Sequence, residues 1–368
     1  MAFQPLTDVV VLDFSTLLPG PLATLMLAEA GAEVIKVERP TGDDLREWAP
    51  RWGSESVQYA MLNRGKQVVA LDLKDPTNRD AIHRLLERAD VLVEQFRPGV
   101  MARLGLDYET LSRRYPKLIY CSITGYGQDG PKSGLAGHDL NYVAETGLLA
   151  LSLGSPANPV IPPALIADIA GGSYPAVMNI LLALRSRDQA GVGCRLDVSL
   201  SDNLFTFMHS ALGTGFATGK WPRNGQDVVT GGSPRYRLYR ARNGGMVAVA
   251  ALEDRFWDVF CELIGLDASL RNDTRDPAAT AAAVAHIIGG ETTTTWASRF
   301  KDKDCCCSIV RELSEAIRDP HFVHRGVAGE VLGTRDGRTL AAIHLPVDRS
   351  FRAKTSNGSD ESEEPVSK

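Results

Sequence analysis

The chain has 368 residues, of which 44% are apolar and 23% are charged, and this composition excludes a collagen-like, disordered or coiled-coil protein. Forty Lys and Arg stand against forty-five Asp and Glu, so the net charge of −5 provides no overall basic field for nucleic acid. Neither an apolar run of 18 residues nor a signal-peptide pattern at the N-terminus is visible, so we expect a cytoplasmic protein that does not span a membrane.

Strand and helix signals alternate through the N-terminal half of the chain. Val9–Phe14 is a nearly continuous apolar run, which is typical of a strand buried on both faces. Pro19-Gly-Pro21 opens an Ala- and Leu-rich segment, which we expect to be helical as far as Ala30 because proline suits the first turn of a helix. Further strands are expected at 33–37, 67–73, 90–94 and 118–122, with a helix at 76–89. This alternation predicts an α/β fold, with a parallel sheet covered by helices.

The second half has a different pattern. It predicts helices at 164–185, 202–219 and 256–264, a turn at 231–234 and a strand at 245–251. The Ala- and Thr-rich stretches of 278–297 are expected to form surface helix and loop. We therefore divide the chain into a large domain at 1–200, a linker helix at 201–225, a smaller α+β domain at 226–325, a segment returning to the large domain at 326–352 and a disordered acidic tail at 353–368.

Several well-known catalytic motifs are missing from the sequence. No Gly-x-Gly-x-x-Gly follows the first strand, and no Walker loop, Gly-x-Ser-x-Gly or His-Glu-x-x-His occurs. This disfavours NAD enzymes, P-loop enzymes, serine hydrolases of that type and zinc proteases. The six cysteines lie at 121, 194, 261 and 305–307 without a Cys-x-x-Cys pair, so we expect no metal or disulfide site.

Three polar residues are candidates for acid–base chemistry. His138 is one candidate because histidine is the commonest general base, although a His–Asp pair such as His138-Asp139 is also common as a helix cap. Asp168 has apolar neighbours on both sides, and burial there would raise its pKa toward the range useful for proton transfer; a helix N-cap is the alternative. Glu253 follows an apolar strand, and is either a functional carboxylate or an ordinary acid at the start of a helix.

Four basic residues follow strands of the expected sheet. Arg39, Lys74 and Arg97 come shortly after three of those strands, and Arg103 lies six residues beyond Arg97. Because the carboxyl ends of parallel strands meet at one edge, which is where such folds bind ligands, these cations suit a phosphorylated ligand. Solvated surface charge is the alternative.

The same residues lie in stretches that resemble the family III CoA-transferase superfamily, also called the CaiB–BaiF family. The resemblance covers about residues 8–330, and Asp168 stands at the position of the family's essential carboxylate. The matching stretches are Leu12-Asp-Phe14, Pro19-Gly-Pro21, Val34-Ile-Lys-Val-Glu-Arg-Pro40, Asn63-Arg-Gly-Lys66, Leu71-Asp-Leu-Lys74, Phe96-Arg-Pro-Gly99, Arg103-Leu-Gly105, Tyr126-Gly-Gln-Asp-Gly-Pro131 and Gly137-His-Asp139.

The resemblance implies an acyl-CoA enzyme with a Rossmann-like large domain, a smaller domain and an interlocked homodimer. Coenzyme A would be the carrier of the substrate, and the resemblance implies no separate cofactor and no metal. The CoA-binding residues that it implies are Arg39, Leu71, Lys74, Gln95, Arg97, Arg103, Gly137 and Tyr142.

Two chemistries occur in this superfamily. The branch that resembles α-methylacyl-CoA racemase has a Gly-His-Asp triplet, the essential Asp and a Glu in Leu-Glu-x-x-Phe, and this chain matches all three with His138, Asp168 and Glu253. A racemase needs two acid–base groups on opposite faces of the carbon next to the thioester, and Glu253 would support the imidazole. In a transferase, Asp168 would instead be the nucleophile that carries the acyl group. A catalytically idle CoA-binding protein is a third interpretation, and the presence of Asp168 argues against it.

Overall fold

The computed structural model describes residues 4–155, 157–333 and 337–351. These residues form two compact units, one from the described parts of 4–142, 165–204 and 326–351 and the other from those of 143–164 and 205–325. The domain boundaries drawn from the sequence, including the linker helix, stay a prediction. The predicted disordered tail at 353–368 lies outside the described residues.

The first unit is built on a six-stranded parallel sheet. In chain order the strands are β1 (Val10–Asp13), β2 (Glu33–Glu38), β3 (Gln67–Ala70), β4 (Val91–Glu94), β5 (Ile119–Thr124) and β6 (Arg195–Ser199). They are hydrogen-bonded side by side in the order β6-β5-β4-β1-β2-β3, and every pair is parallel. The predicted α/β fold is therefore confirmed.

The order of the strands reverses direction beside β1. From β1 the chain moves outward on one side to β2 and β3, and then returns to continue through β4, β5 and β6 on the other side. Leu12 at the centre pairs with Ile35 on one side and Leu92 on the other, and its side chain is fully buried. Open sheets of this kind bind ligands at the carboxyl ends of the strands where the order reverses. The fold therefore places a candidate site after β1 and β4.

Helices surround the sheet. They are α1 (Pro19–Glu29), α2 (Val57–Asn63), α3 (Arg79–Leu86), α4 (Val100–Leu104), α5 (Tyr108–Arg114), α6 (Asp139–Glu145), a π-helical turn (Ala167–Ser173) that continues into α7 (Tyr174–Ala190), and α8 (Leu200–Leu204). The helix predicted at 164–185 thus begins as a wider π-helix. A Cβ on Gly171 would lie 2.4 Å from the carbonyl oxygen of Leu200, so only glycine lets this turn pack so closely on α8.

The segment Ala167–Ala190 is also the one described helix that is long and apolar enough to cross a membrane, judged by length and composition alone. Within the first unit, 44% of its most apolar 18-residue window is buried. A helix in the core of a folded domain has the same composition.

The second unit combines a small antiparallel sheet with helices. Its elements are α9 (His209–Thr218), β7 (Tyr236–Arg240), β8 (Met246–Ala250), α10 (Asp254–Ile264), α11 (Pro277–Gly289), α12 (Thr293–Phe300), β9 (Cys307–Ile309), α13 (Leu313–Ala316) and α14 (Pro320–His324). The strand order is β7-β8-β9. In the first unit, the returning segment adds the hairpin of β10 (Glu330–Gly333) and β11 (Thr339–Ala342).

The prediction of surface helix and loop at 278–297 is wrong. This stretch forms most of α11 and α12, and Val284, Ile288 and Trp296 are fully buried in the core of the second unit, with Trp257 and Phe260. Alanine and threonine give these helices little contrast between an apolar and a polar face. Their buried face was therefore not evident from the sequence pattern.

Candidate functional site

A cavity of about 400 Å³ lies within the first unit at the carboxyl edge of the sheet. Its walls come from the segments that follow β1, β4 and β5, where the strand order reverses. The residues that line it are Leu17, Pro19, Gln95, Phe96, Arg97, Pro98, Ile123, Thr124, Gly125, Ser133, Leu135, Ala136, Gly137, His138, Asn141, Tyr142, Asp168 and Leu200. The place is the one that the fold predicts for a ligand.

His138 and Asp168 both line this cavity, although they are 30 residues apart in sequence. His138 directly precedes α6 and is exposed, while the half-buried Asp168 is the second residue of the π-helical turn. Burial and the nearby Asp139 carboxylate raise the pKa of Asp168 to about 6, against a smaller opposing effect of His138. A carboxyl with this pKa can both accept and release a proton near neutral pH.

Asp139 connects the loop of His138 to the π-helical turn. Asp139 is 7% exposed, and its Oδ1 accepts a hydrogen bond from the backbone N–H of Asp168 at 2.9 Å. Burial raises the pKa of Asp139, and the backbone N–H groups of Asp168, Ala167 and Ile166 act against that rise. The alternative interpretation of the His–Asp pair as a helix cap thus describes Asp139. The capped helix, however, is not the one that follows Asp139 in sequence, so sequence reasoning missed this contact.

Tyr142 forms one wall of the cavity and explains two glycines. Its hydroxyl donates to the carbonyl oxygen of Gly137 at 2.6 Å. A Cβ on Gly137 would lie 2.7 Å from the Tyr142 ring, and a Cβ on Gly125 would lie 2.4 Å from its hydroxyl oxygen. Burial raises the pKa of Tyr142 to about 12, so it stays a neutral donor. Both glycines are therefore required by the packing of this ring.

The segment after β4 supplies Gln95 and Arg97 to the cavity and is held at two points. The buried Glu94 carboxylate accepts a hydrogen bond from the backbone N–H of Phe96 at 2.8 Å. Gln95 Oε1 accepts one from the backbone N–H of Gly20, in the first turn of α1, at 2.8 Å. Arg97 has no ion pair to an acid among the described residues. It can therefore receive an anionic ligand at the cavity wall.

The turn after β1 is held by buried charges. Lys66 Nζ lies 3.1 Å from Asp13 Oδ2 with both side chains fully buried, and Lys36 Nζ donates to the carbonyl oxygen of Ser15 at 2.7 Å. Leu17 in this turn has φ +61°, in the left-handed region that disfavours a leucine. The buried ions thus fix a strained turn at the cavity wall. A sequence signal existed, because Asp13 and Lys36 stand inside otherwise apolar strands.

Not all predicted site residues meet in this cavity. His138 and Asp168 do, and so do Gln95, Arg97, Gly137 and Tyr142. Lys74 lines a separate cavity of about 390 Å³, together with Arg79, His83 and Arg114. The other three predicted CoA-binding residues lie outside both cavities: Arg39 forms an ion pair with Asp44, Leu71 packs on the apolar core, and Arg103 lies near Gly99. Their roles toward CoA stay a prediction.

Glu253 belongs to the second unit. It occupies the N-cap position of α10, but its side chain makes no capping hydrogen bond there. The carboxylate is exposed. The interpretation of Glu253 as a helix-start acid fits its position. The absence of a capping bond leaves the carboxylate available for another role.

Known proteins are similar to this chain over nearly its whole length. A model of the family described as CoA-transferase family III matches residues 6–358. α-Methylacyl-CoA racemase from Homo sapiens is 35% identical over 331 residues, which cover 89% of this chain and 82% of that protein. Succinyl-CoA:glutarate CoA-transferase from Homo sapiens is 31% identical over 353 residues, which cover 93% of this chain and 79% of that protein. The crystal structure of a CaiB/BaiF family protein from Brucella suis is similar with a TM-score of 0.78 and 27% identity, covering 94% of this chain and 92% of that one.

Proposed function

The chain belongs to CoA-transferase family III, and on that premise we propose that it is a racemase or epimerase of 2-methylacyl-CoA thioesters. One observation carries the proposal: two acid–base side chains, His138 and Asp168, line the same cavity at the carboxyl edge of the sheet. The pKa of about 6 at Asp168 suits a group that must both take and give a proton.

The proposed reaction is a transfer of one proton across the carbon next to the thioester carbonyl. One of the two groups removes the α-proton as a base and leaves an enolate; the other, which starts protonated, returns a proton to the opposite face. The pair therefore ends each turnover with reversed protonation states, and no other reactant is consumed. Arg97 would bind a phosphate of CoA. We also propose that the active form is an interlocked homodimer.

The lining of the cavity supports an uncharged acyl group. Among the described residues that line it, Arg97 is the one Lys or Arg, and the CoA phosphate would occupy it. An acyl group with a second carboxylate would need a further cation, because a charge without a partner is costly to bury. Leu17, Leu135 and Leu200 instead offer apolar surface. This favours an apolar acyl group over one that carries a second carboxylate.

A CoA-transferase is the second candidate, because relatives named for that activity match the chain at similar identity. In that case Asp168 attacks the thioester carbonyl, CoA leaves as the thiolate, and the acyl group is held as a mixed anhydride on the carboxylate. The thiolate then attacks the aspartyl carbonyl, which releases the donor as a free acid and leaves CoA as a thioester on Asp168. The acceptor acid attacks this thioester, and the returning thiolate takes the acceptor acyl group, so that the new acyl-CoA leaves and the Asp168 carboxylate is restored. His138 has no obligatory part in these steps. The two candidates therefore differ in their dependence on His138.

The deciding experiment follows deuterium and CoA in the same reaction. Purified protein is incubated in D₂O with a 2-methylacyl-CoA of one configuration, with and without a free carboxylic acid. A racemase incorporates deuterium at the α-carbon and produces the other enantiomer without the acid. His138→Ala should abolish the formation of the other enantiomer, while His286→Ala, which changes an exposed histidine of the second unit, should not. Movement of CoA to the acid without α-deuterium would overturn the racemase proposal and favour the transferase.

A further inference from the structure

We propose that Asp139 is a positioning residue, which locks the backbone of Asp168 to the loop of His138 so that the two proposed acid–base groups are held as one unit. This inference rests on the proposed function, because it assigns Asp139 its role through His138 and Asp168.

The geometry shows a direct link between the two segments. Asp139 Oδ1 accepts the backbone N–H of Asp168 at 2.9 Å, and the N–H groups of Ala167 and Ile166 also interact with this carboxylate. Its neighbour His138 is fixed as well, since its own N–H donates to Asn141 Oδ1 at 3.0 Å. A shift of either segment would therefore carry the other with it.

The carboxylate is in an unusual place for a helix cap. The side chain that caps a helix normally comes from the residue just before that helix. Asp139 instead caps a turn whose Asp168 lies 29 residues away in sequence. It is also 7% exposed. Its negative charge is stabilised by peptide N–H groups at the start of the π-helical turn, where backbone dipoles favour an anion.

The turn that carries Asp168 needs this support. A π-helix has poorer hydrogen bonding than an α-helix and occurs mostly in short pieces, often at functional sites. From the other side, the Ser173 hydroxyl bonds to the carbonyl oxygens of both Asp168 and Pro19, at 3.2 and 2.8 Å. Asp139 holds the N–H side of Asp168, and Ser173 holds its carbonyl side.

The charge of Asp139 has a second effect on the same residue. Burial is the largest cause of the raised pKa of Asp168, and the charge of the Asp139 carboxylate is the second largest. The Asp139 side chain therefore holds the backbone of the proposed catalytic carboxyl and also adds to its proton affinity. A cap with a structural role alone would affect stability, but would not move the titration of Asp168 or the pH profile of the reaction.

The test replaces Asp139 by Asn, which keeps the shape and removes the charge. Asp168 is titrated by carboxyl ¹³C NMR of [4-¹³C]aspartate-labelled protein, with the resonance assigned from Asp168→Asn. In Asp139→Asn the pKa of Asp168 should fall below about 6, because a like charge is removed. The pH profile of α-proton exchange should be displaced to the acid side, and Asp139→Ala, which also removes the acceptor of the Asp168 N–H, should lower the exchange rate by roughly 10- to 100-fold. Asp276→Asn, which removes the N-cap carboxylate of α11, should change neither.

An unchanged titration of Asp168 together with an unchanged pH profile would overturn the inference, even if Asp139→Asn were less stable. Should Asp139→Asn fail to fold by circular dichroism, Asp139→Ser is the second variant, because serine also caps helices without a charge. The NMR titration requires no turnover. If the parent protein neither exchanges the α-proton nor moves CoA, the proposed function fails, while the link between Asp139 and Asp168 is still judged by the titration.

Discussion

Replacing Asp168 by Asn should make the first unit more stable at neutral pH while removing the activity. The carboxyl of Asp168 has a pKa raised by burial from an ordinary 3.8 to about 6. The folded state therefore binds a proton more tightly than the unfolded state does. Stability falls as the pH rises from about 4 to about 6, and remains lowered above pH 6 because the ionised carboxylate is held in an unfavourable place.

The size of the effect follows from the displacement of the pKa. A difference of one in pKa corresponds to 1.36 kcal/mol of free energy. A rise in the pKa of Asp168 from 3.8 to about 6 therefore amounts to about 3 kcal/mol. Asparagine keeps a polar group at the site, so we expect a gain of about 2–3 kcal/mol in the free energy of unfolding at pH 7.5. For a unit of this size the melting temperature should rise by roughly 5–10 °C. At pH 4 the gain should nearly vanish, because the carboxyl is then protonated in the folded protein.

The assay is thermal unfolding of the parent and Asp168→Asn at pH 4 and pH 7.5, each with Asp276→Asn as a control. Asp276 caps α11 in the second unit, so its replacement should lower stability slightly at both pH values. A gain for Asp168→Asn that is the same at both pH values would refute the reasoning, since it could not come from the ionisation of this carboxyl. A loss at pH 7.5 would refute it as well.

Three further predictions concern the binding site, the buried ions and the assembly. Arg97→Ala should raise the apparent KM for acyl-CoA roughly ten- to a hundred-fold, since a charge-assisted contact is lost. As a control, a pantetheine thioester without the nucleotide should show little difference between variant and parent. An unchanged affinity for CoA would show that Arg97 is not part of the site. Lys66→Met should lower the free energy of unfolding by about 3–5 kcal/mol, because it leaves the fully buried Asp13 without this partner. Chemical denaturation measures this loss, with Lys220→Met at an exposed position as the control. Equal losses in the two variants would contradict the prediction. An interlocked dimer should persist in sedimentation at nanomolar concentration, and a folded monomer there would exclude it.

The sequence by itself was sufficient for the class of fold and for the identity of the main candidate residues. Apolar strands that alternate with helices predict a parallel sheet, because only such strands are buried on both faces. The motifs also identified His138 and Asp168 as candidates, and the structure brings both to one cavity. The location at the edge of the sheet could be anticipated as well, since parallel strands end at the same side.

The packed helices of the second unit could not be predicted in this way. The stretch at 278–297 is rich in small residues, so its buried and exposed faces differ little in sequence. Its burial depends on Trp296 and Val284 meeting partners such as Trp257, far away along the chain. That contact exists only once the helices pack.

The tertiary structure alone decided how the candidate residues are combined. Arg97 joins the cavity of His138 and Asp168, while Lys74 lines another, although both follow strands of one sheet. The difference comes from the order of the strands, since β4 lies next to β1 where that order reverses and β3 lies at the far edge. The contact of Asp139 with the N–H of Asp168 arises in the same way, because a buried carboxylate takes the nearest peptide donors in space, and these belong to a turn 29 residues away.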